Sequence, residues 1–181
     1  MKKHIHIFGA SGSGTTSIAK EAAARLGYAH IDTDEYYWMP TDEPFTVKRE
    51  PAERVELMLN AMNKSECWIN SGSLMGWGRD IIESFDLVVF VYVPNEIRME
   101  RLKKREYERY GDRILKGGDH YQHTVDFLEW ASGYEDDTFE GRSLKRHRQW
   151  LEGLSCTVIE VENIDFENSV EMVIKAIEME K

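Results

Sequence analysis

At 181 residues the chain suits one domain, long enough to bury roughly 70% of its unfolded surface, and 41% hydrophobic with 31% charged residues is ordinary for a globular protein. A net charge of −10 argues against a general nucleic-acid binder, whose affinity comes from neutralising phosphates, while leaving room for a local basic pocket. No apolar run approaches the roughly 20 residues of a membrane span, and the stretch after Lys2-Lys3 is too short for a signal peptide, so the expected setting is the cytoplasm and not a membrane.

Residues 4–8 read as the first strand. Gly9-Ala-Ser-Gly-Ser-Gly-Thr-Thr-Ser17 follows in the G-x-x-x-x-G frame of a phosphate-binding loop. It opens an alanine-rich helix over 16–26, which Gly27 ends. Ala29–Asp32 is a short second strand, and 33–50 reads as a loop rich in Asp, Tyr and Trp. Pro51 suits the first turn of a helix reaching about residue 63, with Val55, Leu57, Met58, Leu59 and Met62 on its buried side. Cys67–Asn70 predicts a third strand and 71–78 a glycine-rich turn. The nearly all-apolar run 86–93 fits a strand buried on both faces of a parallel sheet.

Pro94 ends that strand, and a charged helix occupies about 96–110. Polar and aromatic residues fill 111–141, with a helix near 123–131. A helix over about 143–154, a fifth strand at 157–161 and a helix over 167–180 complete the chain. Cys67 and Cys156, far apart at the starts of strands, read as buried reduced thiols. The alternation predicts an α/β fold: a three-layer, right-handed doubly wound sheet of about five parallel strands. Ligands of such sheets sit at the carboxyl ends of the strands, where the polar loops converge.

Glycines at 9, 12 and 14 let the backbone turn tightly and aim successive N–H groups into one concavity. The helix starting near Thr15 adds its positive end. Amides from Ser11 to Thr15 suit a β-phosphate, so Gly9, Ser11, Gly12, Ser13, Gly14, Thr15, Thr16 and Ser17 are the expected nucleotide-binding set. Thr16 takes the place whose hydroxyl coordinates Mg²⁺. Thr15 stands where the motif carries Lys. It donates a neutral hydrogen bond of roughly half the strength of a charge-assisted one. Lys20, a helical turn further on, does not replace that cation.

Asp32 and Asp34 share the end of the second strand. One carboxylate can hold Mg²⁺ through water while the other orients or deprotonates a hydroxyl acceptor. Tyr36, Tyr37 and Trp38 are candidate walls of an acceptor pocket, or core. The segment 98–113 carries seven basic and four acidic residues, and Arg98, Arg101, Arg105 and Arg109 share one helical face. Arg105 and Arg109 lie nearest Gly111, at the end of this segment. Arg142 and Arg146 lie a helical turn apart and can clamp an anion, with Arg49 and Arg79 as further candidates in the loops. His4 and His6 read as packed strand residues. His120 and His123 can meet on a helix, without a metal-ligand cluster around them. No nucleophile–base arrangement of a hydrolase stands out.

Four features together resemble the P-loop small-molecule and nucleoside-monophosphate kinases, nearest the shikimate-kinase and adenylate-kinase branch. They are Gly9–Thr16, the Asp32-x-Asp34 pair, Ser71-Gly72-Ser73 after the third strand, and the arginine-rich helix after Val93-Pro94. The resemblance spans almost the whole chain in element order, with the phosphate loop as its one specific motif. It departs at Thr15 and at the serines flanking Gly72. It implies a single kinase-like domain over 1–181 with a lid at about 105–141, using ATP and Mg²⁺. Asp32 would match a magnesium-associated carboxylate and Asp34 a substrate-binding one. Ser71-Gly72-Ser73 would match a turn that lets substrate approach the backbone, and lid arginines, Arg105 and Arg109 beside the Gly111 hinge, would be the catalytic cations that contact the transferred group. The expected activity is phosphoryl transfer to a small-molecule or nucleotide acceptor. A nucleotide-binding regulatory or interaction module with little turnover is the alternative, and slow ATP hydrolysis alone a third.

Overall fold

In β1 (His4–Gly9) side chains alternate across the sheet, and Ile5, His6, Ile7 and Phe8 are all buried, as in a strand covered on both sides. The structure is a computed structural model and describes residues 1–179. β1 leads to α1 (Thr15–Leu26), β2 (Ala29–Asp32), α2 (Thr33–Tyr37), α3 (Pro51–Met62), β3 (Trp68–Ser71), α4 (Arg79–Ile82) and β4 (Leu87–Tyr92). Then come α5 (Asn95–Tyr110), α6 (Tyr121–Ser132), α7 (Leu144–Glu152), β5 (Thr157–Glu162) and α8 (Phe166–Glu178). The five strands form one all-parallel sheet in the order β2-β3-β1-β4-β5, flanked by helices, as expected for a P-loop kinase-like fold. The winding reverses beside β1, where open α/β sheets bind their ligands.

The chain packs as two units. Met1–Gly9, Gly14–Val91 and, among the described residues, 153–179 form the first; Ala10–Ser13 and Tyr92–Glu152 form the second. In the first, Ile5, Ile7, Ile69, Leu87, Val89 and Val91 meet Ile18, Ala19 and Ala22 of α1 and Val170, Val173 and Ile177 of α8. Small alanines on α1 let helix and sheet approach closely. On the opposite face His6 stacks with Phe8 and Phe85 at 5.5 and 4.9 Å between ring centroids, and Phe8 meets Phe90.

In the second unit Leu102, Ala131 and Tyr134 are buried together with Arg98, Glu106, His120 and His147. The buried stripe of α5 is therefore Arg98, Leu102 and Glu106, two of them charged.

Several local expectations change. The segment after β2 is not all loop. Asp32 caps the short helix α2 by accepting the Asp34 N–H at 3.1 Å, and Trp38 pairs with Lys48 in an antiparallel bridge. On α3, Leu57 is exposed, and Arg54 holds the buried turn with Met58 and Met62. Arg79 opens a short helix, and Arg142 precedes α7, so Arg142 and Arg146 do not share its surface. Cys67 and Cys156 form no disulfide among the described residues and are half-buried instead of buried. No helix among the described residues is long and apolar enough to cross a membrane.

Candidate functional site

In the first unit the polar residues gather at the carboxyl ends of β2, β3 and β1. Register puts Asp32 beside Ser71, and Ser71 beside Ile7, on the sheet face that α1 covers. One layer over, Asn70 is fully buried, donating from Nδ2 to the Ile31 carbonyl and to Thr33 Oγ1, each at 3.0 Å. With both amide hydrogens used, Asn70 Oδ1 is the acceptor for His6 Nδ1–H at 2.6 Å, which sets the histidine tautomer. Burial lowers the His6 pKa to about 4. Ser71 Oγ bonds His30 Nε2 at 2.9 Å, and burial also holds His30 below its usual range, against the opposing pull of Asp32.

Gly72 follows with φ +108, and a Cβ there would lie 2.7 Å from Thr33 Cβ. The turn needs its glycine on both counts. Ser73 contributes its carbonyl to Trp77 Nε1 at 3.1 Å.

Gly14 is the N-cap of α1, with φ 86 and no side-chain cap. A Cβ there would meet Asn163 Nδ2 at 2.6 Å. Asn163, buried just after β5, was not singled out in the sequence, since one Asn after a strand carries no motif. Thr15 and Thr16 are the first residues of α1 and half-buried; Ser17 is exposed. The N–H groups of the first turn of α1 receive no side-chain cap, an arrangement suited to an anion.

The aromatic candidates divide. Tyr37 contacts Trp38 at 4.9 Å and Trp77 at 5.9 Å. The Arg54 guanidinium lies 4.0 Å from the Tyr37 ring centre and 6.0 Å from Trp77, while its Nε donates to the Arg49 carbonyl. Arg54 is 7% exposed, and no carboxylate among the described residues pairs with it. Sequence reasoning passed over this residue because it assigned that side of α3 to apolar side chains. Arg49 instead donates to the Tyr36 carbonyl at 3.1 Å and pairs with Glu53 at 2.6 Å, a local helix-side role. Burial raises the Tyr36 pKa. Asp34, on α2, is exposed, as is Arg79.

Within the second unit the loop residues Ser11, Gly12 and Ser13 lie against α5. Ser13 N–H closes a turn on the Ala10 carbonyl at 3.1 Å, and Gly12 has φ +82. Arg105 and Arg109 converge on buried Glu106, at 2.9 and 3.8 Å. Arg105 also lies 5.5 Å from the Phe127 ring centre and Arg142 5.7 Å from that of Trp130. Arg146 is exposed on α7, its N–H directed to Ser143 Oγ at 3.4 Å. His120 lies against the rings of Tyr110 and His123 in tilted contacts, 3.9 and 4.6 Å between centroids.

The profile of the AAA domain family matches residues 5–126, which holds the phosphate loop and four of the five strands. The chain belongs to that family. It is 46% identical over 163 residues, 90% of each chain, to the uncharacterized protein YqaC of Bacillus subtilis. A remoter relative is a cytidylate kinase of Archaeoglobus fulgidus, 28% identical over 113 residues, which are 56% of this chain and 61% of that one. Among solved structures, a shikimate kinase from Bacteroides thetaiotaomicron matches 99% of this chain and 100% of its own, with TM-score 0.53 and 19% identity. A shikimate kinase from Acinetobacter baumannii in complex with shikimate matches 97% and 92%, with TM-score 0.55 and 17% identity. At these identities the likeness is one of fold.

Proposed function

We propose that this AAA-domain protein is an ATP- and magnesium-dependent phosphotransferase whose acceptor is a small molecule or nucleotide bearing negative charge. The observation that carries the reading is the placement of Asp32 in register with Ser71 at the carboxyl end of the sheet, in the unit where uncapped N–H groups open α1. Phosphoryl transfer asks little covalent chemistry of a protein and much positioning and charge compensation. The donor set fits the group it would hold: the Thr16 hydroxyl and Asp32 carboxylate are hard oxygen ligands, the kind magnesium takes alongside nucleotide phosphates. Magnesium held there would neutralise phosphate charge. The chain's own part is to hold the phosphates on backbone amides, to orient a hydroxyl of the acceptor from Asp34, and to bind the acceptor's anionic group through Arg54. A buried guanidinium lacking a carboxylate and lying on an aromatic ring is suited to a bound anion. Arg105 and Arg109 are proposed to supply positive charge during transfer, within a lid at about 105–141, and Ser71–Ser73, Arg49, Arg79, Arg142 and Arg146 to contact acceptor or phosphates.

Thr15 favours a second reading, a nucleotide-binding module without turnover. Phosphorus NMR of ATP and Mg²⁺ with the protein, with and without a metabolite extract, separates the two. A new phosphorylated species that disappears with Asp34→Asn supports the phosphotransferase. Nucleotide binding with ATP intact in both samples supports the module, and ATP loss without a new ester leaves hydrolysis alone.

A further inference from the structure

Arg98 is fully buried, a rare place for a guanidinium, and its donors go to several segments of the second unit. Nη1 donates to the carbonyls of Ser11 at 3.2 Å and Ala131 at 3.3 Å. Nη2 donates to Asn95 Oδ1 at 3.2 Å and pairs with Glu135 at 2.6 Å. The guanidinium also lies 4.9 Å from the Tyr134 ring centre, and Tyr134 Oη in turn bonds buried His147 at 2.7 Å. Arg98 meets the loop a second time through its backbone: a Cβ on Gly12 would come within 2.9 Å of the Arg98 carbonyl oxygen.

A surface ion pair would need only Glu135. Four acceptors around one planar fork, two of them main-chain carbonyls, hold a geometry that a point charge cannot reproduce. The contact to Ser11 has a consequence for the next residue. The peptide between Ser11 and Gly12 is trans and planar, so its C=O and N–H point in opposite directions. With the Ser11 oxygen turned toward Arg98, the Gly12 N–H is turned away from α5. The αL-like φ at Gly12 then lets the chain reverse immediately after that peptide.

We propose that Arg98 is a positioning residue for the phosphate loop: it tethers the Ser11 carbonyl so that the Gly12 N–H is held ready to donate to a phosphate oxygen. The inference rests on the reading of this loop as a phosphate cradle. It gives the arginine-rich helix a task separate from charge donation, and it matters more here because Thr15 supplies no cation. A loop lacking its lysine depends on pre-set amides, and an amide that must first be ordered loses part of its affinity to that cost.

The test compares wild-type protein with Arg98→Lys, which keeps a cation beside Glu135 but not the fork. The double variant Arg98→Gln with Glu135→Gln removes both charges and serves if the lysine protein fails to fold. Near-UV circular dichroism and thermal melting select folded samples. Magnesium tripolyphosphate is the binding probe, and ¹⁵N relaxation reads the Gly12 amide in unliganded protein. We expect tripolyphosphate to bind about tenfold or more weaker, as for loss of one hydrogen bond to a charged group, and the Gly12 order parameter to fall from about 0.85 to below about 0.6. Unchanged affinity in a folded variant overturns the proposal. If wild-type protein does not bind tripolyphosphate, the cradle reading fails on its own, and the relaxation data still decide the tether: a Gly12 amide equally rigid in variant and wild type overturns it.

Discussion

His6 donates its Nδ1 proton to Asn70 Oδ1 at 2.6 Å while its ring lies nearly parallel to Phe8 and Phe85. A strand at the sheet centre thus carries a neutral imidazole that holds the amide, and that amide holds the backbone of β2 at Ile31 and the side chain of Thr33.

Stability should therefore fall on mild acidification. Above the unfolded value near 6.5 the ring is neutral in both states, and its contribution is fully present. As pH drops from 6.5 toward the folded value of about 4, the unfolded chain binds the proton and the folded chain does not, so stability is lost through that window. The loss approaches about 3 kcal/mol at its lower end. Urea unfolding at pH 7 and pH 4.5 should show a clearly larger drop for wild type than for His6→Gln. Equal drops in the two proteins would remove His6 from the account.

Gly72→Ala should destabilise by about 2–4 kcal/mol, because the residue sits at φ +108 and its new methyl would collide with Thr33 Cβ at 2.7 Å. Adding Thr33→Gly relieves the collision and leaves the backbone strain. The double variant should then recover part of the loss relative to the sum of the single changes. Denaturant midpoints measure both, and strictly additive losses would show that the two residues do not clash.

Asp32 carries two separable properties. Its carboxylate oxygen caps α2, and Asn caps about as well as Asp, whereas Ala loses about 1 kcal/mol. Asp32→Asn should melt near wild type yet weaken nucleotide binding in the presence of magnesium more than in its absence. Titration calorimetry with and without Mg²⁺ checks this. The same loss in both conditions would leave Asp32 with capping alone.

If Arg105 or Arg109 supplies the charge that Thr15 lacks, its change to Ala should lower turnover by roughly a thousandfold or more, and Thr15→Lys should recover part of that. The shared partner Glu106 complicates single changes, since each arginine removed leaves a buried carboxylate with fewer cations. The cycle is therefore run in Glu106→Gln as well as wild type. Full turnover in both arginine variants would move attention to Arg142 and Arg146.

Local pattern was enough for the order of the strands and longer helices, the parallel sheet and the glycine turn that opens α1, because each depends on residues adjacent in sequence. The apolar run of β4 reads as a buried strand, and glycines after β1 read as a tight turn before a helix. Polar residues buried by their partners were not legible in that way. On α5, nothing in the local pattern separates Arg98 and Glu106 from the other charged residues, since burial there is set by Ser11, Ala131 and Glu135 for the one and by Arg105 and Arg109 for the other. Arg54 was hidden for the same reason, since an aromatic ring far along the chain decides whether a guanidinium can leave water. Asn163 against Gly14 joins residues at opposite ends of the chain. Periodicity reports which side of an element faces inward when apolar side chains line it; only the tertiary structure brings together the hydrogen-bond and charge partners that make burial of a polar group affordable.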